Sequence, residues 1–526
     1  MADNDLNKKI EYFDNLKSKR EKWHHIWDEL KKYVCPQTES NKVIFDSTSI
    51  WSREQLASGL QSLLVNPAMN WFNLTIVAEN DEQQQYLTTA ERNMLAQMLE
   101  KTLMDIFNNP ASNFYSQIHQ FFLNLSAFGT AIFYVEEDLE LAQTLFFRNI
   151  NLQECYFEEN KFGFVNTMYR LFSMPIKTAS AKWADFAPFK ERLARNPDEI
   201  VEILHIVSPQ AQNQKSRGRK SAAASPSTSS TSTLDYSSEY IYLAEQKIIS
   251  QSGYSYFPFF VTRWVKEEGE VYGYAPAHHV LPDIKLLNSL RQITLKVAQK
   301  QLDPPLLVPK DGYYLPLYTT PGSVNFYRNG MADKIMPLTG MENILPTEIE
   351  QNQCRDAIFK VFYVDIFRMQ KENKEMTATE VQIRTEEQYR LMSPMVGRIE
   401  SELLNPLIMA IYQTLIKYNR VPILEGANSP PEIKLEYVSP LSRVQKTSAI
   451  ASVEQVLGFF QRSGISNFFP EIYDNINWDE CFKLFFELRE APNSILKSEQ
   501  EVLQLRQQRK MMQMQQLQQQ QQIQGQ

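Results

Sequence analysis

The residue types that most often do chemistry are sparse in this 526-residue chain and do not form reactive patterns. Four of the six histidines fall in two adjacent pairs, His24-His25 and His278-His279, and adjacent side chains diverge on a helix, which is the wrong geometry for a shared metal ion. The sequence contains no GxxxxGK phosphate loop, GxGxxG turn, HExxH zinc helix or GxSxG elbow. We therefore predict no catalytic residue, no metal site and no cofactor, and we expect these histidines at surface or interface positions.

The cysteines, the charge and the hydropathy narrow the class of protein further. Cys35, Cys155, Cys354 and Cys481 show no CxxC spacing, so we expect reduced, buried thiols rather than a disulfide framework or a zinc site. A net charge of −8 argues against a protein that grips nucleic acid over its whole surface. Because no apolar run reaches the length of a membrane span and the N-terminus is charged, we expect a protein made and used in the cytoplasm.

Two short basic runs are the remaining candidates for binding chemistry. The first, KSRGRK, lies within 209–238, a Ser- and Thr-rich segment that lacks the apolar residues needed to order itself, so we interpret it as a mobile surface loop. A nucleic-acid patch is the alternative there, and a solvated linker is favoured. The second run, RMQKENKEMTATE, begins at Arg368. It is too polar for a core, and its composition alone indicates a solvated turn between helices.

Two predicted helices flank this second run. TEIEQNQCRDAIFKVFYVDIF begins with Thr347 as a candidate N-cap and Glu350 three residues later, which is the spacing of a capping box. Its apolar residues recur at three- and four-residue steps up to Ile366. The helix after the run keeps one apolar face, and Pro394 and Pro406 sit where a proline can begin a helical segment or bend a longer one.

The first half of the chain alternates between helical and strand-like patterns. Helices are predicted over 5–33, 48–65, 89–107 and 114–128. Strands are predicted over 71–77, 130–135, 144–147 and 164–171. Aromatic and β-branched residues alternate with polar ones again in EYIYLAEQKIIS and YFPFFVTRWV, which indicates a small β module before residue 275.

A helix, a β-rich excursion and a second helix follow. Leu286, Leu290, Ile293 and Val297 step by four, three and four, and this helix ends before two successive prolines. Short strands joined by Gly and Pro turns then lead to the helix near Thr347. Exposed apolar faces on such a hairpin imply neighbours, and a ring of copies related by rotation is the simplest closed way to supply them.

Six segments, in the same order along the chain, resemble the head-to-tail connector, or portal, proteins of short-tailed, T7-like bacteriophages. The most specific is ATEVQIRTEEQYRLMSPMVGRIESELLNPLI. The others are FDSTSIWSREQLASGLQSLLVNPAMNWFNL, YGYAPAHHVLPDIKLLNSL, DPPLLVP, SPLSRVQK and APNSILKSEQEVLQLRQQR. The resemblance covers most of the chain, and the loop at 209–238 is its clearest departure from the family pattern.

The resemblance implies a fold that is mainly α with β modules (α+β), namely a ring-forming portal fold with wing, stem, clip and crown. The expected segments, in chain order, are the N-terminal part of the wing (1–208), a disordered Ser/Thr-rich loop (209–238), a wing β module (239–274), a stem helix (275–302), the clip (303–345), a second stem helix (346–367), a channel loop (368–377), the wing helix with its return strands (378–440), the crown (441–496) and a C-terminal helix or barrel with a Gln-rich tail (497–526).

Two sets of site residues follow from the resemblance. The charged break after the second stem helix corresponds in order to the family's channel loop, so Arg368, Lys371 and Lys374 are expected to approach DNA phosphates. Each neutralised phosphate adds affinity through counterion release, so a channel through which DNA slides should carry few such cations. The clip residues expected to contact the terminase or the tail adaptor are Asp303, Pro304, Pro305, Tyr313, Tyr314, Tyr327 and Arg328.

The resemblance also implies a function and a set of partners. The implied function is passage of double-stranded DNA through a channel at the portal vertex of the virion, during packaging and later ejection, by a protein assembled in the host bacterial cytoplasm. The implied partners are further copies of the chain in a homo-oligomeric ring that is dodecameric in the family, the terminase motor, tail adaptor and tail tube proteins, major capsid and scaffolding proteins, and DNA, with no membrane.

Two other classes of protein stay open at this point. A coiled-coil scaffolding protein would show heptads over much of its length and little β content, whereas this chain has β segments rich in aromatic residues. An enzyme that processes nucleic acid would need convergent carboxylates or a metal site, and no such cluster is visible in the sequence.

Overall fold

The computed structural model describes most of the chain up to Tyr437. The described ranges are 2–35, 44–77, 89–137, 145–210, 234–302, 345–367, 390–421 and 431–437, together with 306–307, 316, 336–337 and ten single positions after 450. The chain divides into two compact units. Unit 1 comprises Met1–Ser62, Pro110–Glu372 and Pro394–Ala410, and unit 2 comprises Leu63–Asn109, Asn373–Ser393 and Ile411–Gln526.

Helices and strands both contribute substantially, so the fold is α+β as predicted. In chain order the elements are α1 (Ala2–Val34), α2 (Thr48–Leu64), β1 (Phe72–Val77), α3 (Thr89–Asn108), α4 (Phe114–Phe128), β2 (Thr130–Glu137), β3 (Leu145–Ile150), β4 (Cys155–Glu159), β5 (Val165–Pro175), α5 (Ile176–Lys182), α6 (Ala187–Arg195), β6 (Ile200–Pro209), β7 (Tyr236–Tyr242), β8 (Lys247–Tyr254), β9 (Phe259–Arg263), α7 (Pro276–Leu302), β10 (Leu306–Leu307), β11 (Met336–Pro337), α8 (Leu345–Val361), α9 (Val364–Phe367), α10 (residues 390–417) and β12 (Glu432–Tyr437).

The core of unit 1 forms around a five-stranded antiparallel sheet with the order β4-β5-β6-β7-β8. Helix α1 lies on one face of this sheet, where its buried Phe13 packs edge-on against Tyr156 with ring centroids 4.9 Å apart. The long amphipathic pattern predicted for residues 5–33 therefore forms one helix that covers a sheet, and that prediction is confirmed.

The opposite face of the same sheet is covered by α5 and α6. Ile176 and Phe189 of these short helices are fully buried and pack with Val201, Ile203 and Tyr242 of the sheet. Because both faces of β6 are covered, its sequence IVEILHIV is almost continuously apolar. Neither short helix was predicted, since helices of one or two turns carry too few residues to show a helical period.

The predicted β module of residues 239–274 does not form a sheet of its own. Strands β7 and β8 continue the five-stranded sheet that begins with β4, while β9 pairs with β2 in a three-stranded sheet of order β3-β2-β9. Each of these two sheets therefore combines strands that precede the 209–238 loop with strands that follow it. Alternation predicts that a strand exists but not which strand it pairs with, because pairing is decided by long-range packing.

Unit 2 contains a smaller described core. Strands β1 and β12 pair antiparallel over six residues, from Phe72 opposite Tyr437 to Val77 opposite Glu432. Helix α3 packs on β1, and the backbone N–H of Leu74 donates to Glu100 at 2.5 Å. The strand predicted over 71–77 and the helix predicted over 89–107 are both confirmed.

Three details of the later helices differ from the sequence prediction. Helix α8 begins at Leu345, so Thr347 lies inside its first turn rather than at the N-cap, because Pro346 is already well suited to a helix start. The predicted single helix also breaks after Val361, where Tyr363 adopts a left-handed φ of 55°. Helix α10 runs through both Pro394 and Pro406 without ending, so neither proline begins a new helix.

A widened turn explains how α10 tolerates Pro406. Residues Glu400–Leu404 form a π-helical turn, in which the N–H of Asn405 donates to the carbonyl of Glu400, five residues back. In a regular α-helix the proline ring would clash with the carbonyl of Glu402, and the wider turn relieves that clash.

Candidate functional site

Helices α7 and α8, which correspond to the predicted stem, form an antiparallel pair in unit 1. The side-chain amide of Gln351 donates to the hydroxyl of Thr294 at 2.8 Å across their interface. The two-residue strands β10 and β11 pair just beyond the end of α7 and before the start of α8. The helix, β, helix order predicted from the sequence is therefore present in the described residues.

A short segment before α2 holds both helices of the pair. The N–H of Phe45 donates to the side chain of Asn288 on α7 at 2.7 Å, and the guanidinium of Arg355 on α8 donates to Asp46 at 2.8 Å. Asp46 also caps α2 by accepting the N–H of Thr48 at 2.9 Å. We call Phe45 and Asp46 with their two partners the helix clamp.

Electrostatics stabilise the contacts of the helix clamp. Burial acts to raise the pKa of Asp46, but hydrogen bonds from Thr48 and Arg355 outweigh burial and hold the pKa of this carboxyl below its ordinary value. Lys285 of α7 adds an ion pair to Glu29 of α1 at 2.8 Å. Helix α7 is thus fixed both to α8 and to the long N-terminal helix.

Helix α7 carries two apolar faces. The inner face, which includes Val280, Ile284 and Leu287, is buried within unit 1. The face predicted from the sequence is a different one, which consists of Leu286, Leu290, Ile293 and Val297 and which we call the apolar stripe. Leu290 and Val297 are half-buried, while Leu286 is 43% exposed and Ile293 is 54% exposed. The apolar stripe is therefore only partly covered.

A buried charge cluster links the π-helical turn of α10 to the sheets. The main-chain N–H of Arg263, at the end of β9, donates to Glu402 at 2.8 Å, and its guanidinium donates to the same carboxylate at 2.6 Å. The guanidinium also pairs with Glu159 and donates to the carbonyl of Gly163 at 3.1 Å. Arg263 is only 2% exposed, and Lys266 lies 2.5 Å from Glu159 as a second cation.

The sequence analysis did not single out Arg263 or Glu402. An arginine inside TRWV and a glutamate inside IESELL look like ordinary surface charges, and the residues are 139 positions apart. The π-helical turn brings the carboxylate of Glu402 under β9. π-Bulges of this kind are frequent at functional sites.

The histidine pairs are only partly at the surface. His25 and His279 are exposed, whereas His24 and His278 are half-buried. The ring of His278 packs against Trp23 and Tyr274, and its Nδ1 accepts the N–H of Ala275 at 2.9 Å. Burial in this aromatic cluster lowers the pKa of His278 to about 4.

Three of the four cysteines lie in the described part of the chain. Cys155 and Cys354 are buried, Cys35 is half-buried, and the three are free thiols, while Cys481 lies outside the described residues. In the ranges that the structure describes, no group of three or more His, Cys, Asp or Glu side chains is arranged to hold a metal ion. None of the helices in these ranges has the length and apolarity that a bilayer crossing requires.

The site residues predicted from the family resemblance fall outside the described residues. Helix α9 ends at Phe367, directly before the channel-loop residues Arg368, Lys371 and Lys374. The same holds for the clip residues, which are Asp303, Pro304, Pro305, Tyr313, Tyr314, Tyr327 and Arg328. Their roles therefore remain predictions.

Comparison with known proteins gives two relatives and one family. The chain is 24% identical over 531 residues to a protein of Bordetella phage BPP-1 named "Probable portal protein", with 94% of this chain and 89% of the relative covered. It is 22% identical over 536 residues to the protein of Salmonella phage epsilon15 named "Portal protein", with 97% and 92% covered. A family model described as bacteriophage head to tail connecting protein matches residues 7–496. The chain therefore belongs to the family of bacteriophage head-to-tail connecting proteins.

Proposed function

We propose that this chain is the portal subunit of a bacteriophage and assembles into a closed ring at one vertex of the capsid. Double-stranded DNA passes through the ring when the terminase packages it and again when it is ejected. The clip contacts the terminase during filling and the tail adaptor afterwards, while the wing meets the capsid. Because the sequence lacks a phosphate loop, a separate motor supplies the work of packaging.

The observation that carries the ring is the apolar stripe on α7. A helix whose inner face is packed and whose outer face still exposes Leu286 and Ile293 is suited to a second interface. Identical chains related by rotation bury such a stripe in every copy, and a rotation that closes produces a ring. We expect a dodecamer, as in the family that the sequence resembles.

Electron microscopy of the purified full-length protein tests the ring directly. Discrete rings with a central pore are the expected result. A compact monomer at all concentrations would rule the portal function out.

A paired substitution tests whether the apolar stripe forms the contact between subunits. Leu286→Ser with Ile293→Ser removes two side chains whose burial is worth about 1.5 to 3 kcal/mol each, so the ring population should fall sharply while the circular dichroism spectrum is kept. The matched control is Ile200→Ser on β6, which removes a side chain that is 68% exposed elsewhere in unit 1. Rings that persist in the stripe variant would place the contact on another surface.

The channel loop is tested separately from assembly. Lys371→Ala with Lys374→Ala should reduce the yield of packaged DNA while rings still form, because fewer phosphates are then neutralised in the channel. An unchanged DNA yield would count against the assignment of this loop.

A further inference from the structure

An exposed turn with two aromatic rings joins β4 to β5 in unit 1. Phe162 is 73% exposed and Phe164 is 53% exposed. Both lie in the sequence NKFGF, residues 160–164, which we call the aromatic turn. Single apolar residues scattered over a surface are ordinary, whereas two aromatic rings on one turn indicate a surface that binds another molecule.

Hydrogen bonds fix the backbone of the aromatic turn. The side chain of Asn160 accepts the N–H of Phe162 at 2.9 Å and the N–H of Phe164 at 3.1 Å. The N–H of Asn160 donates to the carbonyl of Phe164 at 2.8 Å, and the N–H of Gly163 donates to the carbonyl of Asn160 at 2.9 Å. Arg263 adds a bond to the carbonyl of Gly163 at 3.1 Å. Because the backbone is ordered before binding, little conformational freedom is lost when a partner covers the two rings.

The segment that follows β9 adds to this surface. The bond from Arg263 to Gly163 places the start of the segment beside the aromatic turn. In the segment Val265, Glu267 and Glu268 are exposed. The surface therefore combines three exposed apolar side chains with two exposed carboxylates.

Helix α7 offers charges of the opposite sign beside its apolar stripe. The charged carboxylate, ammonium and guanidinium side chains of this helix are Asp283, Lys285, Arg291, Lys296 and Lys300. Only Lys296 and Lys300 are exposed, and the other three are half-buried. Ile293, Lys296 and Lys300 are spaced by three and four residues, which places them on one side of the helix. The exposed end of the apolar stripe thus complements the two glutamates beside the aromatic turn.

The apolar stripe alone is too small for a stable contact between subunits. Leu286 and Ile293 are its two exposed side chains. A specific protein–protein interface buries about 800 Å² on each partner, which is far more than two such side chains provide. A ring contact therefore needs further apolar surface from the same chain, and the aromatic turn supplies it.

We propose that the aromatic turn of one copy packs on the apolar stripe of α7 in the neighbouring copy. This contact deepens the proposed function and rests on it, because it names the two surfaces that meet in the ring. Two different surfaces of one chain that bind each other form a heterologous contact, which produces a ring when the rotation between copies closes. The aromatic rings anchor the contact, and the glutamates of one copy face the lysines of the next.

The first experiment measures the concentration at which half of the purified full-length chain is assembled into rings. Phe162→Ser with Phe164→Ser should raise this concentration by about tenfold or more, because two aromatic anchors are lost. The matched control is Met94→Ser with Met98→Ser, which removes two exposed apolar side chains of α3 in unit 2. The control should assemble as the unchanged chain does. A phenylalanine variant that also assembles at the unchanged concentration overturns the inference.

The second experiment identifies the surface that the aromatic turn contacts, and it decides even if the serine variant fails to fold. A photocrosslinking phenylalanine analogue replaces Phe162 in an isotopically light chain, which is assembled together with a heavy chain of unchanged sequence. A crosslink from the light turn to a heavy peptide of α7 supports the inference. Crosslinks to light peptides alone, or to another part of the heavy chain, overturn it. A wild-type chain without rings refutes the proposed function itself, whereas wild-type rings with the crosslink elsewhere refute only this contact.

Discussion

Arg263 is a buried side chain that joins three segments of unit 1. Its guanidinium is shared between Glu402 of the π-helical turn and Glu159 of β4, and it also holds the carbonyl of Gly163. An arginine can do this because its donors form a planar fork, whereas a lysine offers one compact charge. Removing the cation would leave two carboxylates close together in a poorly hydrated place.

Arg263→Ala is therefore expected to lower the free energy of unfolding by about 3 to 5 kcal/mol, as measured by chemical denaturation. The matched control is Lys182→Ala, which breaks the more exposed ion pair to Glu136 at 3.3 Å and should cost less than about 1 kcal/mol. Equal effects of the two substitutions would show that the buried cluster is not special.

The lowered pKa of His278 predicts how the stability of the protein depends on pH. Its pKa is lowered to about 4 in the folded protein by burial, while an unfolded chain takes up the proton near the ordinary value of 6.5. The unfolded state thus binds more protons between these values, so stability falls as the pH falls through this window. Between about pH 7 and about pH 5 this residue should account for a loss of about 2 kcal/mol.

His278→Gln removes that proton uptake and should flatten the pH dependence of unfolding over the same interval. The comparison is made between the variant and the wild type, because the fully buried His205, whose pKa burial also lowers, contributes equally to both. A variant with the same pH dependence as the wild type would show that folding does not lower the pKa of His278.

At the scale of elements, α2 and α9 approach each other more closely than a side chain on α2 would allow. A Cβ atom added to Gly59 of α2 would lie 2.5 Å from the ring of Phe367, the last residue of α9. Phe367 directly precedes the predicted channel loop. The end of α9 is therefore packed against a glycine more than 300 residues earlier in the chain.

Gly59→Ala should destabilise the protein by about 1 to 3 kcal/mol through overpacking, although alanine is the better helix former. In a double-mutant cycle, Gly59→Ala should lower the free energy of unfolding less in the Phe367→Ala background than in the wild type. The control is Gly397→Ala on α10, where a Cβ would meet no atom within 4 Å and the substitution should stabilise by about 0.5 to 1 kcal/mol. Additive effects of the Gly59 and Phe367 changes would contradict the contact.

The elements that the sequence predicts well are those whose patterns are local and long. Helix α1 repeats its apolar residues over many turns, and α4 shows both a strong apolar face and Gly129 at its C-cap, with a φ of 71°. Helices α5 and α6 and the π-helical turn were missed, because their shape depends on the sheet or the proline that they accommodate. The break at Tyr363 was missed for the same reason, since Trp264 packs beside its ring.

For the candidate site, periodicity predicted the helix pair and the existence of an apolar stripe on α7. The family resemblance added the order of the segments. The helix clamp and the cluster around Arg263 could not be predicted, because their members are charged or amide side chains whose partners lie 100 to 309 residues away. Such pairs leave no periodic signal in a single sequence.

At the scale of the whole molecule, the long Ser- and Thr-rich insertion joins two strands that already meet. Pro209 of β6 lies opposite Tyr236 of β7, and the N–H of Gln210 donates to the carbonyl of Asp235 at 3.0 Å. The ends of the insertion are thus held together by the sheet itself. A much shorter connection can close the same hairpin.

Replacement of residues 212–234 by an Asn-Gly turn is expected to preserve both the fold and the formation of rings. The measurements are the thermal unfolding midpoint and ring counts by electron microscopy, compared with the full-length chain. A shortened protein that no longer forms rings would show that this loop takes part in assembly.

The helix clamp also bears on how the chain is made. Phe45 and Asp46 leave the ribosome early, yet their partners Asn288 and Arg355 follow 243 and 309 residues later. At typical rates of about 5 to 20 residues per second, the second partner arrives roughly 15 to 60 s after the first half of the contact. During that interval Phe45 and Asp46 lack their partners in the nascent chain, so chaperones can act on this region before Arg355 is synthesised.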